Sequence, residues 1–233
     1  MNLPLYLTSE HECSYLPERV AVTVFADPDY PKDSAVQSAL TEQGFRRSGA
    51  HMYRPHCPQC SACEAVRLRV ADFKPSRSQR RTWRRNSDLD VTVVDQSFVR
   101  EHYELYASYV SSRHAGGGMD TPTPDKYREF LLCPWARTRL VEFRHAGELL
   151  AVAVTDELPQ ALSAVYTFFE TQQAARGLGV LAILWQIEIA RRANLEWLYL
   201  GFAIDDCAKM SYKRDYRPQH RFLNNRWIEH SNH

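Results

Sequence analysis

Three cysteines stand at two-residue intervals in Cys57-Pro58-Gln59-Cys60-Ser61-Ala62-Cys63, with His56 beside them and Cys13 upstream. Thiolates at this spacing can turn inward onto one ion. Cys13, Cys57, Cys60 and Cys63 are therefore candidate ligands for a tetrahedral zinc ion or an iron–sulfur cluster. The same residues would also serve as reduced core thiols or a redox pair.

A second constellation is cationic. Residues 44–85 carry eleven basic side chains, ten of them arginine, against Glu64 and Asp72 alone. Residues 1–43 carry seven acidic side chains against Arg19 and Lys32, so a formal net charge of +1 hides a strong asymmetry. The densest part is Ser76-Arg77-Ser78-Gln79-Arg80-Arg81-Thr82-Trp83-Arg84-Arg85-Asn86. Guanidinium groups pair phosphates bidentately and stack on bases. Arg77, Arg80, Arg81, Arg84 and Arg85 therefore point to a nucleic-acid partner, with Trp83 stacking or anchoring. A solvated helix face laced with salt bridges is the competing reading, and few carboxylates lie nearby to support it.

Two further stretches could act on an anionic or acyl group. Arg176-Gly177-Leu178-Gly179 combines a cation with glycines that let backbone N–H groups approach a phosphate at a helix start. It resembles the Q/R-x-x-G-x-G/A turn of GNAT acyltransferases in degenerate form. An ordinary loop-to-helix turn would look much the same. Lys209-Met210-Ser211-Tyr212-Lys213-Arg214 could hold an RNA terminus through Lys209 and Tyr212 or stabilise an oxyanion; a surface helix is the alternative.

The elements that must position these groups follow from pattern and punctuation. Residues 34–43 read as a helix closed by Gly44. Residues 45–54 and 64–71 look extended and flank the cysteine loop, and residues 76–86 fit a helix or an arm. Residues 89–94 have strand composition, and Ser97 caps a helix running to about Arg113. Ala115-Gly116-Gly117-Gly118 reads as a loop, with Pro124 opening the next helix. Strands at 139–144 and 149–154 meet at Ala146-Gly147, followed by a strand at 162–169, a helix from Arg176-Gly177 to about Ala193, and a strand at 197–202. The fold expected is α+β: a GNAT-like acyltransferase C-terminal domain over 91–233 behind a Cys/Arg-rich N-terminal region over 1–90.

At 233 residues, 44% apolar and 24% charged, the chain has ordinary globular composition. No run of 18 apolar residues exists, and the start Met1-Asn2-Leu3-Pro4 lacks a signal-peptide pattern. These features argue for a cytoplasmic protein without a membrane partner, whose cysteines are reduced.

Taken together, several stretches resemble the bacterial aspartate/glutamate leucyltransferases, relatives of the eukaryotic arginyltransferases. They are Cys13-Ser14-Tyr15-Leu16-Pro17, Gly44 to Gly49, Met52-Tyr53-Arg54-Pro55, Phe73 to Arg81, Arg113-His114, Ser163 to Phe169, Leu178-Gly179, Tyr199-Leu200-Gly201, and Lys209-Met210 with Tyr212-Lys213. The resemblance spans nearly the whole chain in order. It implies transfer of leucine from leucyl-tRNA to proteins beginning with Asp or Glu, marking them for N-degron degradation. In the arginyltransferases an N-terminal Cys-x-x-Cys joins later cysteines at a metal or cluster site. Here Leu16 stands where the second of those cysteines would be.

Such a reaction needs no cofactor for its chemistry, because the aminoacyl ester is already activated. An acidic acceptor terminus calls for a cationic receptor, and Arg46 and Arg47 are the candidates; holding tRNA phosphates is their competing role. Tyr166, Asp205 and Lys213 are candidates for catalysis, with Glu170 a further choice of base. The rival readings are transfer of arginine instead of leucine, a non-catalytic nucleic-acid-binding protein, and an acetyl-CoA-dependent N-acetyltransferase.

Overall fold

The computed structural model describes residues 3–113 and 121–230. The expected loop at Ala115-Gly116-Gly117-Gly118 and the residue His114 lie outside the described residues. The first half contains β1 (Leu5–Leu7), β2 (His11–Glu12), β3 (Val20–Ala21), β4 (Thr23–Ala26), α1 (Ser34–Glu42), β5 (Arg46–Ser48), β6 (His51–Pro55), β7 (Glu64–Arg69) and α2 (Arg77–Arg85). The second contains β8 (Asp90–Asp95), α3 (Arg100–Arg113), α4 (Pro124–Leu131), β9 (Thr138–His145), β10 (Glu148–Leu158), β11 (Ala161–Phe169), α5 (Leu178–Arg192), β12 (Trp197–Ala203), β13 (Gln219–Leu223) and β14 (Arg226–His230). Short 3-10 turns at Thr171–Arg176 and Ser211–Asp215 precede α5 and β13.

An eight-stranded sheet in the order β14-β13-β7-β12-β11-β10-β9-β8 forms the centre. Its pairings are antiparallel except β11 with β12, which run parallel with α5 as their crossover. The position of β10 explains why its sequence reads Leu149-Leu-Ala-Val-Ala-Val154 rather than as an alternation. Val152 and Val154 pack under Leu105, Tyr106 and Val110 of α3, while Ala151 and Ala153 pack under Leu178, Leu181 and Ala182 of α5. A strand covered by a helix on each face is apolar throughout. The α+β class follows from this layout.

A smaller sheet, β1-β4-β6-β5, packs with α1 around Val24, Ala26, Leu40, Phe45 and Met52. A cut at 90/91 does not separate two cores. β7 lies inside the large sheet between β12 and β13, and Val66 and Leu68 share a core with Leu198 and Ile187. α2 likewise rests on α5, with Trp83 beside Trp185 at 4.9 Å between ring centres. The helix expected from Ser97 begins at Arg100. The closing β13–β14 hairpin, turned through the positive-φ pair Asn224-Asn225, lies outside the elements read from the sequence.

Candidate active site

The parallel ladder between β11 and β12 is short. It pairs Ala161 with Trp197, Leu162 with Leu198 and Ser163 with Tyr199, and ends there. β12 then breaks register against β7 between Tyr199 and Gly201, where Gly201 takes φ +76. The two strands run on to Phe169 and Ala203 without further pairing to each other. The carboxyl ends of adjacent parallel strands are the usual place for a ligand crevice in such sheets.

Arg46 of β5 enters that crevice. Its Nη2 donates to the Val165 carbonyl at 2.5 Å, two residues past the end of the ladder. The guanidinium passes so close to Gly201 that a Cβ there would stand 3.0 Å from Nη1. Gly201 is thus required twice, for its left-handed backbone and for the room it leaves. The Arg46 Nε is buried and has no hydrogen-bond partner among the described residues, an exception to the usual pairing of buried donors. Tyr53, its cross-strand neighbour on β6, meets Phe202 edge-on.

A tyrosine set surrounds the cation. The Arg46 charge is felt by Tyr15, Tyr166 and Tyr212. Burial pushes the Tyr15 hydroxyl up to about 12, and burial with the neighbouring Tyr109 and Tyr106 raises Tyr166 strongly. These phenols stay protonated and can donate. Tyr166 packs edge-on against Tyr106, Tyr109 and Phe130.

Lys213 completes the site from the turn at Ser211–Asp215. It is 3% exposed, donates to the Phe202 carbonyl and lies 3.8 Å from the Met210 sulfur. Burial first, and the Arg46 charge second, hold its ammonium well below the usual lysine range. Burial in this setting favours the neutral amine over the ammonium. Tyr212 beside it and Lys209 just upstream are both exposed.

Other sequence candidates are engaged elsewhere. Arg47, expected at the acceptor site, is buried with its Nε 2.5 Å and Nη2 2.8 Å from the two Asp156 oxygens. Thr138, Gly49 and Leu131 take its remaining bonds. The alternation of β5 decides this, since neighbouring residues of a strand face opposite sides. Arg176 is likewise clamped on Asp88 at 2.8 and 3.0 Å, which holds the Asp88 carboxyl down at about 2. Asp205 is gripped by Arg221 at 2.9 and 3.2 Å and kept below the ordinary carboxylate range, so its charge is already matched. Glu170 caps the turn before α5 through the Gln172 N–H.

Gly177 adopts φ +68 between that turn and α5, as the glycine signal required. The turn is covered by α2, however. Asn86 donates to the Arg176 carbonyl, Arg85 donates to the Ala175 carbonyl, and a Cβ on Gly177 would meet Thr82 at 3.3 Å. A Cβ on Gly179 would meet the Phe169 ring at 3.3 Å.

α2 is a helix, capped by Ser76 and Gln79 in reciprocal hydrogen bonds. Arg77, Arg80, Arg81, Arg84 and Arg85 are all exposed, and among the described residues no carboxylate pairs with any of them. Arg80 donates to the Pro75 carbonyl. The result is a cationic face next to the crevice's crossover helix.

The thiols of the cysteine loop and Cys13 neighbour one another, and Cys207 joins them. Cys13, Cys57, Cys60 and Cys207 all act on Cys63, whose thiol is pushed up to about 12, first by burial. Cys207 packs with Leu16 and Ile204 in the same apolar cluster. Leu16 is therefore a core residue of the cluster and Cys207 supplies a fifth sulfur. Cys13 accepts from the Leu16 N–H, and Cys60 accepts from the Ala62 N–H and from Arg19, which lower its thiol. Among the described residues, no group of three or more Cys, His, Asp or Glu side chains has an arrangement that could hold a metal ion.

Comparison with known proteins decides the family. The family model "Arginine-tRNA-protein transferase, N terminus" matches residues 11–81, and "Arginine-tRNA-protein transferase, C terminus" matches residues 101–223. A Pseudomonas fluorescens protein named aspartate/glutamate leucyltransferase is 51% identical over 227 residues, 97% of each chain. Proteins of that name from Pseudomonas aeruginosa and Pseudomonas putida are 50% identical over the same share. The chain belongs to the aspartate/glutamate leucyltransferase family. As a member of that family it is an aminoacyltransferase. The two matched segments fall on either side of residue 90, yet β7 from the first lies within the sheet built by the second. The shared core ties the chain's two matched segments together. No helix among the described residues is long and apolar enough to cross a membrane.

Proposed function

We propose that the chain transfers leucine from leucyl-tRNA to the α-amine of proteins beginning with Asp or Glu, in a GNAT-like crevice between β11 and β12. The observation that carries this is Arg46: a cation inside the crevice with a buried Nε that has no partner among the described residues. A carboxylate side chain at the acceptor's first residue fits such a group, since charge-assisted hydrogen bonds to guanidinium are strong and directional.

In this reading the acceptor amine, which must be neutral to attack, gives its proton to Lys213. Attack on the ester carbonyl of the leucyl-tRNA forms the amide bond, and the ester bond to the tRNA 3′ ribose breaks, with the proton passing to that ribose oxygen. The protonated phenols of Tyr15, Tyr166 and Tyr212 are donors for the oxyanion. The exposed arginines of α2, with Lys209, hold tRNA phosphates and place the ester. The ester is activated before it arrives, so nothing is routed through a metal or cofactor. Elemental analysis of anaerobically purified protein tests whether Cys13, Cys57, Cys60 and Cys63 carry zinc or an iron–sulfur cluster.

The acceptor's new N-terminal leucine would mark it for N-degron turnover in the cytoplasm. Incubation with tRNA carrying radioactive leucine or arginine, and a peptide beginning with Glu, tests the proposal. Label on the peptide from leucyl-tRNA supports it; label from arginyl-tRNA alone changes the donor, and label from neither ends it.

A further inference from the structure

Between α2 and α5 lies a groove of about 310 Å³ that the reaction above does not use. Phe73, Trp83, Leu184 and Ile187 make its apolar lining, and Arg80 and Arg84 stand on the α2 wall with Arg191 opposite on α5. Arg84 belongs to a helix with five arginines and no acid, while Glu188 is the one carboxylate among the described residues of the rim and bonds Arg191 and Arg192. Trp83 is only partly buried, with one side against Trp185.

We infer that this groove takes one unstacked base of the bound tRNA, with the flanking phosphates held by Arg80 and Arg84. The inference rests on the tRNA role given to α2 and extends it from charge to a pocket. Three observations favour a base over other occupants. The volume suits one flat ring better than a chained lipid, being at the low end for a ligand pocket. Aromatic and apolar walls accept any base face. The α2 wall carries Arg80 and Arg84, which no carboxylate among the described residues pairs, and this is complementary to the phosphates that flank a base.

The test compares a single-stranded RNA hexamer with a blunt-ended RNA duplex, each titrated against the full chain. Ile187→Phe fills the groove from its floor. It should weaken hexamer binding about tenfold, the scale of one lost stacked base, and change duplex binding less than twofold. Arg84→Glu should weaken both. A hexamer carrying 2-aminopurine should be quenched on binding to the unsubstituted chain, a readout that stands even if Ile187→Phe fails to fold. Unchanged hexamer affinity in a folded Ile187→Phe chain, or no quenching, overturns the pocket while leaving α2 as a phosphate-binding face. Displacement of the hexamer by phosphatidylglycerol vesicles from the unsubstituted chain, but not from Ile187→Phe, overturns it in favour of a lipid. Failure of the unsubstituted chain to hold either RNA removes the tRNA role of α2 itself.

Discussion

Arg46 donates to the Val165 carbonyl at 2.5 Å from a different sheet, at the place where β11 and β12 have stopped pairing. The bond brings a cation from the small N-terminal sheet into the crevice of the large one. The site is therefore composite. Neither sheet contains it alone.

Arg46→Ala should raise KM for a Glu-starting peptide by roughly 10- to 100-fold, the value of a charge-assisted hydrogen bond of about 1.5–3 kcal/mol. Affinity for tRNA should stay within about twofold. Peptide kinetics and filter binding on the same preparation check this. Loss of tRNA affinity with peptide KM unchanged would reassign Arg46 to phosphate.

Gly201→Ala should impair transfer more than its stability cost accounts for. A side chain at φ +76 costs about 1–2 kcal/mol, and the added Cβ presses on the Arg46 guanidinium at 3.0 Å. A urea titration alongside the peptide KM separates the two effects. A stable variant with normal KM would show that Arg46 need not hold its place.

Arg47 and Asp156 should behave as a folding pair and not as a site. Either single change, Arg47→Met or Asp156→Leu, strands a buried charge and should cost about 3–5 kcal/mol. The double variant should recover much of that loss in a denaturant cycle. A fully folded Arg47→Met with altered acceptor preference is the contrary result.

Lys213 gives a pH signature with a defined sign. Its folded-state pKa is depressed from 10.5 by burial, so between that lowered value and 10.5 the unfolded chain binds one more proton. Stability therefore rises with pH across this window, by at most about 1.4 kcal/mol per unit. Lys213→Met should remove that slope and should abolish transfer at neutral pH while the chain stays folded. Equal slopes in both proteins would mean the lysine is charged in place.

Neutralising Arg80, Arg81 and Arg84 together should flatten the salt dependence of tRNA binding. The log–log slope should fall by about 0.7–0.9 for each phosphate that is no longer neutralised. An unchanged slope in a filter-binding titration would take α2 off the RNA.

Local pattern was enough for the elements whose ends carry their own chemical marks. Residues 76–86 fit a helix or an arm, and the reciprocal Ser76 and Gln79 caps make them the helix α2. The β9–β10 hairpin follows from Ala146-Gly147, whose φ values are +48 and +88. The start of α5 follows from Gly177. Order along the chain was also enough for the family resemblance. Which charges are free was settled by the folded arrangement instead. Arg46 and Arg47 are adjacent and chemically identical, and strand alternation sends one to the crevice and the other to Asp156, 109 positions away. Arg176 is paired by Asp88 in the same long-range way, Cys207 reaches the other thiols across the fold, and Lys213 becomes a candidate base because β12 and its turn bury it. Such pairings depend on the three-dimensional neighbours of each side chain, which local spacing does not encode.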